Sequence, residues 1–351
     1  MADQTTTPEK VTEAPGSRPR VRRQTGSLLR AYGMVIAVIA LAAFFQAQNQ
    51  AFLDGDNIMV IIRSMASIAM IAFAQLLVII LAEIDLSVGA VYGLAATTLA
   101  CLWLGAGNSP FQVPFIVALV LALGVGLLAG VSNAFFTTAL GMPSFIPTLG
   151  MLSIAQGAEL LLSNATQFAP KYYLPPPPQA ELDMFRALGA TTLPFGIPIQ
   201  VLWLAFFFVV FWVVRHRTLF GFRLLAVGGN PDAARVARLP IAKYKWVVFM
   251  LSTFMAAVAG ILDFSYVGSV GPGSGLSLTF PVIAAVVIGG ASLNGGRGTI
   301  AGTLIGATLL AVIRNGLAIM GVGSYGALIV TGVVIIGAVA FDRLAHGKRA
   351  E

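Results

Sequence analysis

Long apolar stretches separated by short polar ones fill most of the chain, and their lengths predict membrane-spanning helices. A helix needs about 20 mainly apolar residues to cross a bilayer, and lipid leaves all its backbone hydrogen bonds to be made internally. Ten stretches approach this length, at residues 32–47, 58–81, 86–105, 111–140, 145–162, 198–214, 246–267, 280–293, 299–320 and 325–341. The pattern therefore predicts an all-α polytopic membrane protein with about ten transmembrane helices.

The charge distribution predicts that both termini lie in the cytoplasm. The first segment, 1–30, is polar and contains a cluster of arginines, which is typical of a disordered tail on the cytoplasmic side. The transmembrane domain then covers 31–343, and an even number of spans returns the last segment, 344–351, to the cytoplasm. That segment is also basic, as the same rule requires.

Two polar segments between spans are longer than a simple turn. Segment 215–245 is basic and is expected to face the cytoplasm, while 163–198 is the longest external loop. The external loop contains four consecutive prolines at 175–178, which form a stiff rim, and then an amphipathic stretch at 180–188. It can serve as a spacer or as a platform for an external protein, and its residues leave both readings open.

The second to fifth and the seventh to tenth spans form two four-helix blocks that enter the membrane from opposite sides, as inverted repeats do. The eighth span, 280–293, is short and surrounded by prolines and glycines, so a short or broken helix is expected in the second block. After the eighth span, Gly298, Gly302 and Gly306 follow at intervals of four residues and share one helical face that another helix can approach closely. Packing within the chain is favoured there over a seam between two copies.

Two carboxylates, Glu83 and Asp85, interrupt the apolar run between the second and third spans. A charged side chain at the centre of a bilayer costs roughly 2.5–3.5 kcal/mol, so these residues are expected at an interface, in a cavity or beside a partner. The residues alone favour a tight cytoplasmic turn in which Asp85 and Ser87 each cap the next helix. A place on a translocation pathway is the alternative.

A short helix is predicted inside segment 215–245. Asn230 is a good N-cap, Pro231 suits the first helical position, and Asp232 complements the positive end of the helix dipole. Pro240 ends the element, which would be roughly two turns long. The residues allow either a capped connector that rests on lipid headgroups or a docking element for another protein.

Four ionisable side chains lie within predicted spans: Arg63, Glu159, Asp263 and Arg314. By the predicted topology all four fall in the external half of the membrane, where opposite charges can pair across helices and form a polar vestibule. Pairing is expected for Asp263 with Arg314, and Glu159 is a further vestibule candidate. Arg63 is expected to snorkel to the headgroups.

Three motifs occur in order along the chain: Ile-Asp-Leu-Ser-Val-Gly at 84–89, Gly-Gly-Asn-Pro-Asp-Ala-Ala-Arg at 228–235, and Ile-Ala-Ala-Val-Val-Ile-Gly-Gly at 283–290, running on to Asn-Gly-Gly-Arg-Gly at 294–298. Together they resemble permease subunits of monosaccharide ABC importers, the ribose, xylose and arabinose group. The resemblance covers most of the chain, from about Asn57 to Arg343. It implies a multi-pass protein of the bacterial inner membrane that carries a pentose, a hexose or a small polyol.

The resemblance also implies partners. Such permeases work with separate ATP-binding cassette ATPase subunits, with a periplasmic or extracellular solute-binding protein, and with a second permease copy or a paralogue. The translocation pathway candidates are Asp85, Ser87, Gly89, Asn294 and Arg297. The candidates for ATPase coupling are Gly229, Asn230, Pro231, Ala233, Ala234, Arg235 and Arg238.

The sequence departs from the pattern of these permeases at several positions. Ala82 and Glu83 replace a common pair of glycines, and Arg238 replaces a usual glycine in the coupling segment. Thr279 and Pro281 stand where acidic residues often precede the third motif. These changes leave the exact substrate open and bear on the local fit to an ATPase.

Composition limits the function classes further. With 58% hydrophobic and 10% charged residues the chain is too apolar for a soluble fold, and its net charge of +7 follows from membrane topology without a nucleic-acid partner. The sequence has no phosphate-loop motif, so it is not expected to be an enzyme, and no cofactor or metal is predicted. The one cysteine, Cys101, is expected to serve packing. An ion-coupled secondary transporter remains the alternative function, while a membrane enzyme lacks a nucleophile, base and metal constellation.

Overall fold

The computed structural model of this chain describes residues 21–109 and 111–347. In these ranges the chain forms thirteen α-helices and only isolated β-bridges. The helices are α1 (Val21–Gln48), α2 (Gly55–Ile80), α3 (Val88–Leu104), α4 (Phe115–Thr138), α5 (Phe145–Ser163), α6 (Gln179–Gly189), α7 (Ile199–Arg217), α8 (Leu219–Gly229), α9 (Pro231–Val236), α10 (Ile241–Val267), α11 (Thr279–Ile288), α12 (Ile300–Ile319) and α13 (Ser324–Gly347). Six of them, α2, α4, α5, α7, α10 and α12, are long and apolar enough to cross a membrane, so the all-α, multi-pass prediction is confirmed.

Each predicted span coincides with a helix, and α6, α8 and α9 lie between spans. The first helix begins at Val21, inside the segment 1–30 that the sequence predicts to be a tail. Arginine is a good helix former, and a helix can continue beyond the apolar stretch that hydropathy detects. The predicted C-terminal tail begins inside α13, which ends at Gly347. The tail predictions for 1–20 and 348–351 lie outside the described residues.

The short helix predicted in the second block is confirmed. Helix α11 has 10 residues and ends at Ile288, before the predicted limit of residue 293. It follows segment 268–278, which ends in a single 3₁₀ turn at Leu276–Leu278 and in which Gly273 and Gly275 adopt positive φ angles of 76° and 88°. A non-helical stretch therefore precedes α11, and such a stretch is tolerated at membrane depth only where protein covers the backbone.

The glycine face of α12 is filled from within the same chain. A Cβ added at Gly302 would lie 2.1 Å from the carbonyl oxygen of Gly289, and one at Gly306 would lie 2.1 Å from that of Ala285. Only glycine permits this approach of α12 to α11 and to the turn after it. The preference for intramolecular packing over a dimer seam is confirmed at Gly302 and Gly306, whereas Gly298 lies before α12 and is not on its face.

The core of the fold surrounds α3. All its residues except Leu94 are buried, and α4, α5 and α10 pack around it. Close backbone approaches make this enclosure possible: a Cβ at Gly260 of α10 would lie 2.2 Å from the carbonyl oxygen of Tyr92. Outward-facing apolar side chains are instead frequent on α4, α5 and α7. The 17-residue helix α3 is thus enclosed by other helices, and the exposed apolar surfaces lie on the helices around it.

Candidate functional site

The segment between α2 and α3 centres on a buried carboxylate. Asp85 and Ser87 are both 0% exposed. The Oδ1 atom of Asp85 accepts hydrogen bonds from the backbone N–H of Ser87 at 3.0 Å and from its hydroxyl at 2.6 Å. Asp85 therefore fixes the start of α3. The expectation that Ser87 also caps the helix is wrong, because its hydroxyl donates to Asp85 instead of accepting from the helix.

Three more polar side chains complete the cluster around Asp85. Asn133 of α4 donates from Nδ2 to the Ser87 hydroxyl at 3.0 Å, and Gln75 of α2 donates to the backbone carbonyl of Asp85 at 3.3 Å. Ser252 of α10 donates to Gln75 Oε1 at 3.1 Å. Among the described residues, Asp85 Oδ2 and Asn133 Oδ1 have no hydrogen-bond donor facing them. The cluster thus joins α2, α4 and α10 and keeps unused acceptor capacity in an enclosed site.

Sequence reasoning missed these partners. Gln75 and Asn133 are isolated amides in apolar spans, and that isolation was a usable signal, since a buried polar group needs a partner. Ser252 gave no signal, because hydroxyl side chains are common in membrane helices and can bond to their own helix backbone. Only the folded arrangement identifies it as a member of the cluster.

The irregular segment before α11 meets the start of α3. The hydroxyl of Thr279 accepts from the backbone N–H of Gly89 at 3.2 Å and lies 3.5 Å from the carbonyl oxygen of Leu86. A Cβ at Gly89 would lie 2.5 Å from the carbonyl oxygen of Gly275. Gly89 is therefore needed for close approach, and Thr279, one of the departures from the family pattern, forms part of this contact.

Asp263 on α10 is held by hydroxyl groups. Its Oδ1 accepts from Ser67 of α2 at 2.6 Å, and its Oδ2 accepts from the Tyr92 hydroxyl of α3 at 2.6 Å. The predicted pairing with Arg314 is wrong: both carboxylate oxygens are occupied, and Arg314 lies on α12, which packs against α1 and α2. Similar membrane depth did not bring the two charges together, because they lie on different sides of the bundle.

Glu159 reaches α3 from α5. It is 0% exposed, and Thr97 donates to its Oε1 at 3.4 Å. A Cβ at Gly93, one turn earlier on α3, would lie 2.9 Å from the same oxygen. The vestibule candidates Glu159 and Asp263 thus both face α3, while Arg314 does not join them.

Arg63 does not snorkel independently. Its guanidinium donates to the hydroxyl of Tyr266 on α10 at 2.7 Å and lies 4.5 Å from the centre of the same ring. The expectation was wrong because a tyrosine on α10 offers both a hydrogen-bond acceptor and a π-face to the cation. Arg63 therefore adds another link between α2 and α10.

Asn294 and Arg297 are not brought to Asp85. Both are exposed and lie in the loop between α11 and α12. That loop turns toward the end of α2, where Gly296 donates its backbone N–H to the carbonyl of Ile80 at 2.8 Å. Although grouped with Asp85 as pathway candidates, these two residues lie beside the coupling segment instead.

The coupling segment forms the capped helix α9. Asn230 Oδ1 accepts from the N–H of Ala233 at 3.0 Å, and Pro231 is the first helical residue, so the predicted cap is confirmed. The exposed side chains of Asp232 and Arg235 form an ion pair at 2.8 Å. Ala234 is the buried residue of this six-residue helix and packs it against the rest of the protein. The helix thus presents a charged, preformed surface to its surroundings.

Helix α9 lies beside a backbone junction with the Asp85 segment. A Cβ at Gly228, in the last turn of α8, would lie 1.7 Å from the carbonyl oxygen of Ile80, the last residue of α2. The same carbonyl accepts from Gly296, which satisfies a group that the helix end would otherwise leave unpaired. In the turn that follows α2, Glu83 forms an ion pair with Lys245 of α10. The coupling segment and the Asp85 segment therefore share one rigid contact.

Two departures from the family pattern occupy equivalent backbone positions. Ala82 follows α2 with φ of 59°, and Arg238 follows α9 with φ of 55°. In each case the next residue donates its N–H back to the helix, Glu83 to Val78 at 3.2 Å and Leu239 to Ala234 at 3.0 Å. These bonds define Schellman endings, whose left-handed position favours glycine. The geometry accounts for the glycines that the resemblance implies at positions 82 and 238.

The external loop is anchored to the core. Its amphipathic stretch forms α6, as predicted, and buries Leu182 and Phe185. Trp103 of α3 donates to Glu181 Oε2 at 2.6 Å, and Ser265 of α10 donates to the backbone carbonyl of Phe185 at 2.5 Å. The C-terminal ends of α3 and α10 therefore hold α6 in place.

A polar axis enclosed by apolar helices and joined to an exposed capped helix defines a membrane permease. A family model described as "Branched-chain amino acid transport system / permease component" matches residues 57–339, and the chain belongs to this family. The matched region contains the three motifs, the Asp85 cluster and α9.

Individual relatives extend over nearly the whole chain. YphD of Escherichia coli (strain K12), named a probable ABC transporter permease protein, is 35% identical over 88% of this chain and 87% of its own length. The ribose import permease RbsC of Bacillus subtilis (strain 168) is 33% identical over 90% of this chain and 94% of its own. The fructose import permease FrcC of Rhizobium meliloti is 32% identical over 88% and 84%. The resemblance to monosaccharide importer permeases is confirmed.

Proposed function

We propose that this chain is the permease subunit of an ABC importer that moves a monosaccharide, a pentose or a hexose, or a small polyol across the bacterial inner membrane. ATP hydrolysis takes place on separate ATP-binding cassette subunits. The observation that carries the proposal is α9, an exposed capped helix beside a backbone junction with the buried Asp85 segment. Relatives named for ribose and fructose import support the sugar class.

The proposed topology follows from the basic segments. Ten helices cross the membrane, both termini and α9 face the cytoplasm, and α6 faces outward. Helices α2–α5 and α10–α13 are the two inverted blocks, each with an irregular segment after its first helix. The helices that follow these segments, α3 and α11, meet in their first turns, where the Thr279 hydroxyl accepts from the N–H of Gly89, and this contact supports the pairing of the blocks.

The proposed pathway runs along the Asp85 cluster and α3. Asp85, Ser87 and Gly89 lie at the buried start of this helix, and Glu159 and Asp263 face its middle. Hydroxyl, amide and carboxylate groups of this kind can exchange hydrogen bonds with a sugar. A solute-binding protein docks on the outer face around α6, and a second permease copy or a paralogue completes the membrane assembly.

The ion-coupled secondary transporter is the less favoured alternative. It would place proton or sodium coupling on a buried carboxylate. The family match to a transport-system permease component, together with an exposed helix that has the form of a docking element, supports ATP-driven transport instead.

The test uses two exposed ion pairs of the same spacing. Asp232 with Arg235 lies on α9, and Asp183 with Arg186 lies on α6. We expect Arg235→Glu to leave membrane levels normal but to abolish co-purification with the ATPase and uptake driven by ATP. The matched variant Arg186→Glu should keep ATPase association. Uptake that persists without any ATPase, and stops when an ionophore collapses the ion gradient, would establish the alternative.

A further inference from the structure

We infer that Glu83 and Lys245 are positioning residues that transmit movement of the coupling segment to the buried Asp85 cluster. The inference rests on the proposed function, because transmission requires an ATPase that acts on α9. It concerns Glu83, which stands where the resemblance to monosaccharide importer permeases implies a glycine, and its ion-pair partner Lys245.

The two residues lie where such a link is needed. Lys245 is in the second turn of α10, which follows α9 after the turn at Arg238 and Pro240. Glu83 lies in the turn after α2, two residues before Asp85. Their side chains are only 25% and 13% exposed, so water screens the ion pair weakly. A displacement of the first turns of α10 therefore pulls directly on the Asp85 segment.

Helix α10 contacts the same segment a second time. Ser252, two turns after Lys245, donates to Gln75, which in turn donates to the backbone carbonyl of Asp85. Together the two contacts hold the segment at Glu83 on one side of its turn and at Asp85 on the other. The ion pair is the outer of the two and the nearer to α9.

The turn that carries Glu83 is strained. Ala82 adopts φ of 59°, a left-handed conformation that a residue with a Cβ keeps only when its surroundings hold it there. The hydrogen bonds of the Schellman ending and the ion pair at Glu83 provide that restraint. A strained turn with a releasable side-chain contact can change conformation more readily than a regular helix, which suits an element that relays movement.

Stability alone does not account for the ion pair. Taking two charges out of water offsets much of their attraction, so a largely buried pair adds little net stability, whereas removing one partner leaves the other charge unpaired. What the pair does fix is the distance between α10 and the turn. The backbone contact at Ile80 persists without it, so its loss should weaken coupling and not abolish assembly.

The experiment compares Glu83→Gln, Lys245→Gln and the charge swap Glu83→Lys with Lys245→Glu. Each variant is reconstituted with its ATPase and solute-binding protein in proteoliposomes, and sugar uptake per ATP hydrolysed is measured. We expect each single variant to bind the ATPase normally but to lose about fivefold or more of the uptake-to-hydrolysis ratio, as befits loss of a coupling contact. The swap should restore most of the ratio. Ser153→Ala, which removes an exposed hydroxyl of α5 that bonds only to the carbonyl of Leu149 on its own helix, should leave the ratio unchanged.

Each result separates this inference from the proposed function. A wild-type chain that neither binds nor stimulates an ATPase overturns the proposed function itself. A coupled wild type whose single variants retain the full ratio overturns only the role of the pair. If a single variant yields too little folded protein to assay, the charge-swap variant provides the test. A well-folded charge-swap variant with a low uptake-to-hydrolysis ratio also overturns the role of the pair.

Discussion

Gly228 and Ile80 come so close that no other residue type fits at position 228. A Cβ there would lie 1.7 Å from the Ile80 carbonyl oxygen and 3.1 Å from the backbone nitrogen of Gly296. Three backbone segments, from α2, α8 and the loop before α12, therefore meet without an intervening side chain. The contact sets how closely α9 can approach the Asp85 segment.

Substitution of Gly228 by alanine should disrupt this junction. The added methyl forces Ile80 or Gly296 away and breaks their 2.8 Å hydrogen bond, so we expect a loss of about 1–3 kcal/mol in stability and failure of coupled uptake. The neighbouring change Gly229→Ala is the control for stability, because its Cβ would meet only the Gly296 Cα at 3.8 Å. Thermal unfolding in detergent distinguishes the two variants, and uptake is measured for Gly228→Ala against the wild type. Equal behaviour of both variants would refute the importance of the junction.

Substitution of Ala82 by glycine should stabilise the protein. A left-handed conformation costs a residue with a Cβ about 1–2 kcal/mol, and the greater entropy of an unfolded glycine offsets part of the gain. We expect a net increase of about 0.5–1 kcal/mol, seen as a higher midpoint of thermal unfolding. Ala139→Gly, after α4 where φ is −79°, should lower the midpoint. A fall for both variants would contradict the assigned backbone geometry.

Removal of the Tyr92 hydroxyl should leave Asp263 partly unsatisfied. In Tyr92→Phe the Oδ2 of Asp263 loses its donor at 2.6 Å inside the bundle, so stability should fall by about 1–3 kcal/mol. Tyr173→Phe removes a longer, exposed hydrogen bond to the carbonyl of Gly105 at 3.3 Å and should have little effect. The comparison is made by thermal unfolding, and an effect of Tyr173→Phe as large as that of Tyr92→Phe would argue against a buried Asp263 network.

Two substitutions of Asp85 should separate structural and transport roles. Asp85→Leu removes the acceptor for both Ser87 hydrogen bonds in a fully buried site, so folded protein should decrease. Asp85→Asn keeps an acceptor oxygen and removes the charge, so we expect near-normal membrane levels with reduced uptake. Quantitative membrane blots beside transport assays measure both. Full uptake by Asp85→Asn would limit Asp85 to a structural role.

Hydropathy and local chemistry were sufficient for much of the fold. Ten apolar runs predicted ten helices, and the order Asn230, Pro231, Asp232 predicted α9 with its cap, because both signals depend on neighbouring residues. The short α11 was likewise readable from the glycines and prolines around it. Local sequence thus placed the helices along the chain, although the start of α1 and the end of α11 differ from the predicted limits.

Contacts between distant segments could not be read in the same way. The sequence predicted that Asp263 pairs with Arg314, because the two have opposite charges at similar membrane depth. In the structure Asp263 instead accepts hydrogen bonds from Ser67 and Tyr92, whose uncharged hydroxyl groups do not stand out in the sequence. The glycine-to-alanine and glycine-to-arginine departures at positions 82 and 238 acquire a meaning only once their φ angles are known. Which helices are neighbours depends on packing, and a single sequence does not reveal it.

The contacts that hold α6 bear on how the proposed solute-binding protein would dock. Besides its contacts with Trp103 and Ser265, the helix end is fixed by Gln200 and Trp203, which donate to the carbonyls of Gly189 and Leu188 at 2.6 and 2.9 Å. Side chains of three other helices, α3, α7 and α10, therefore hold α6 at several points along its length. In the proposed topology, a protein that binds around α6 meets a preformed surface and loses little ordering entropy.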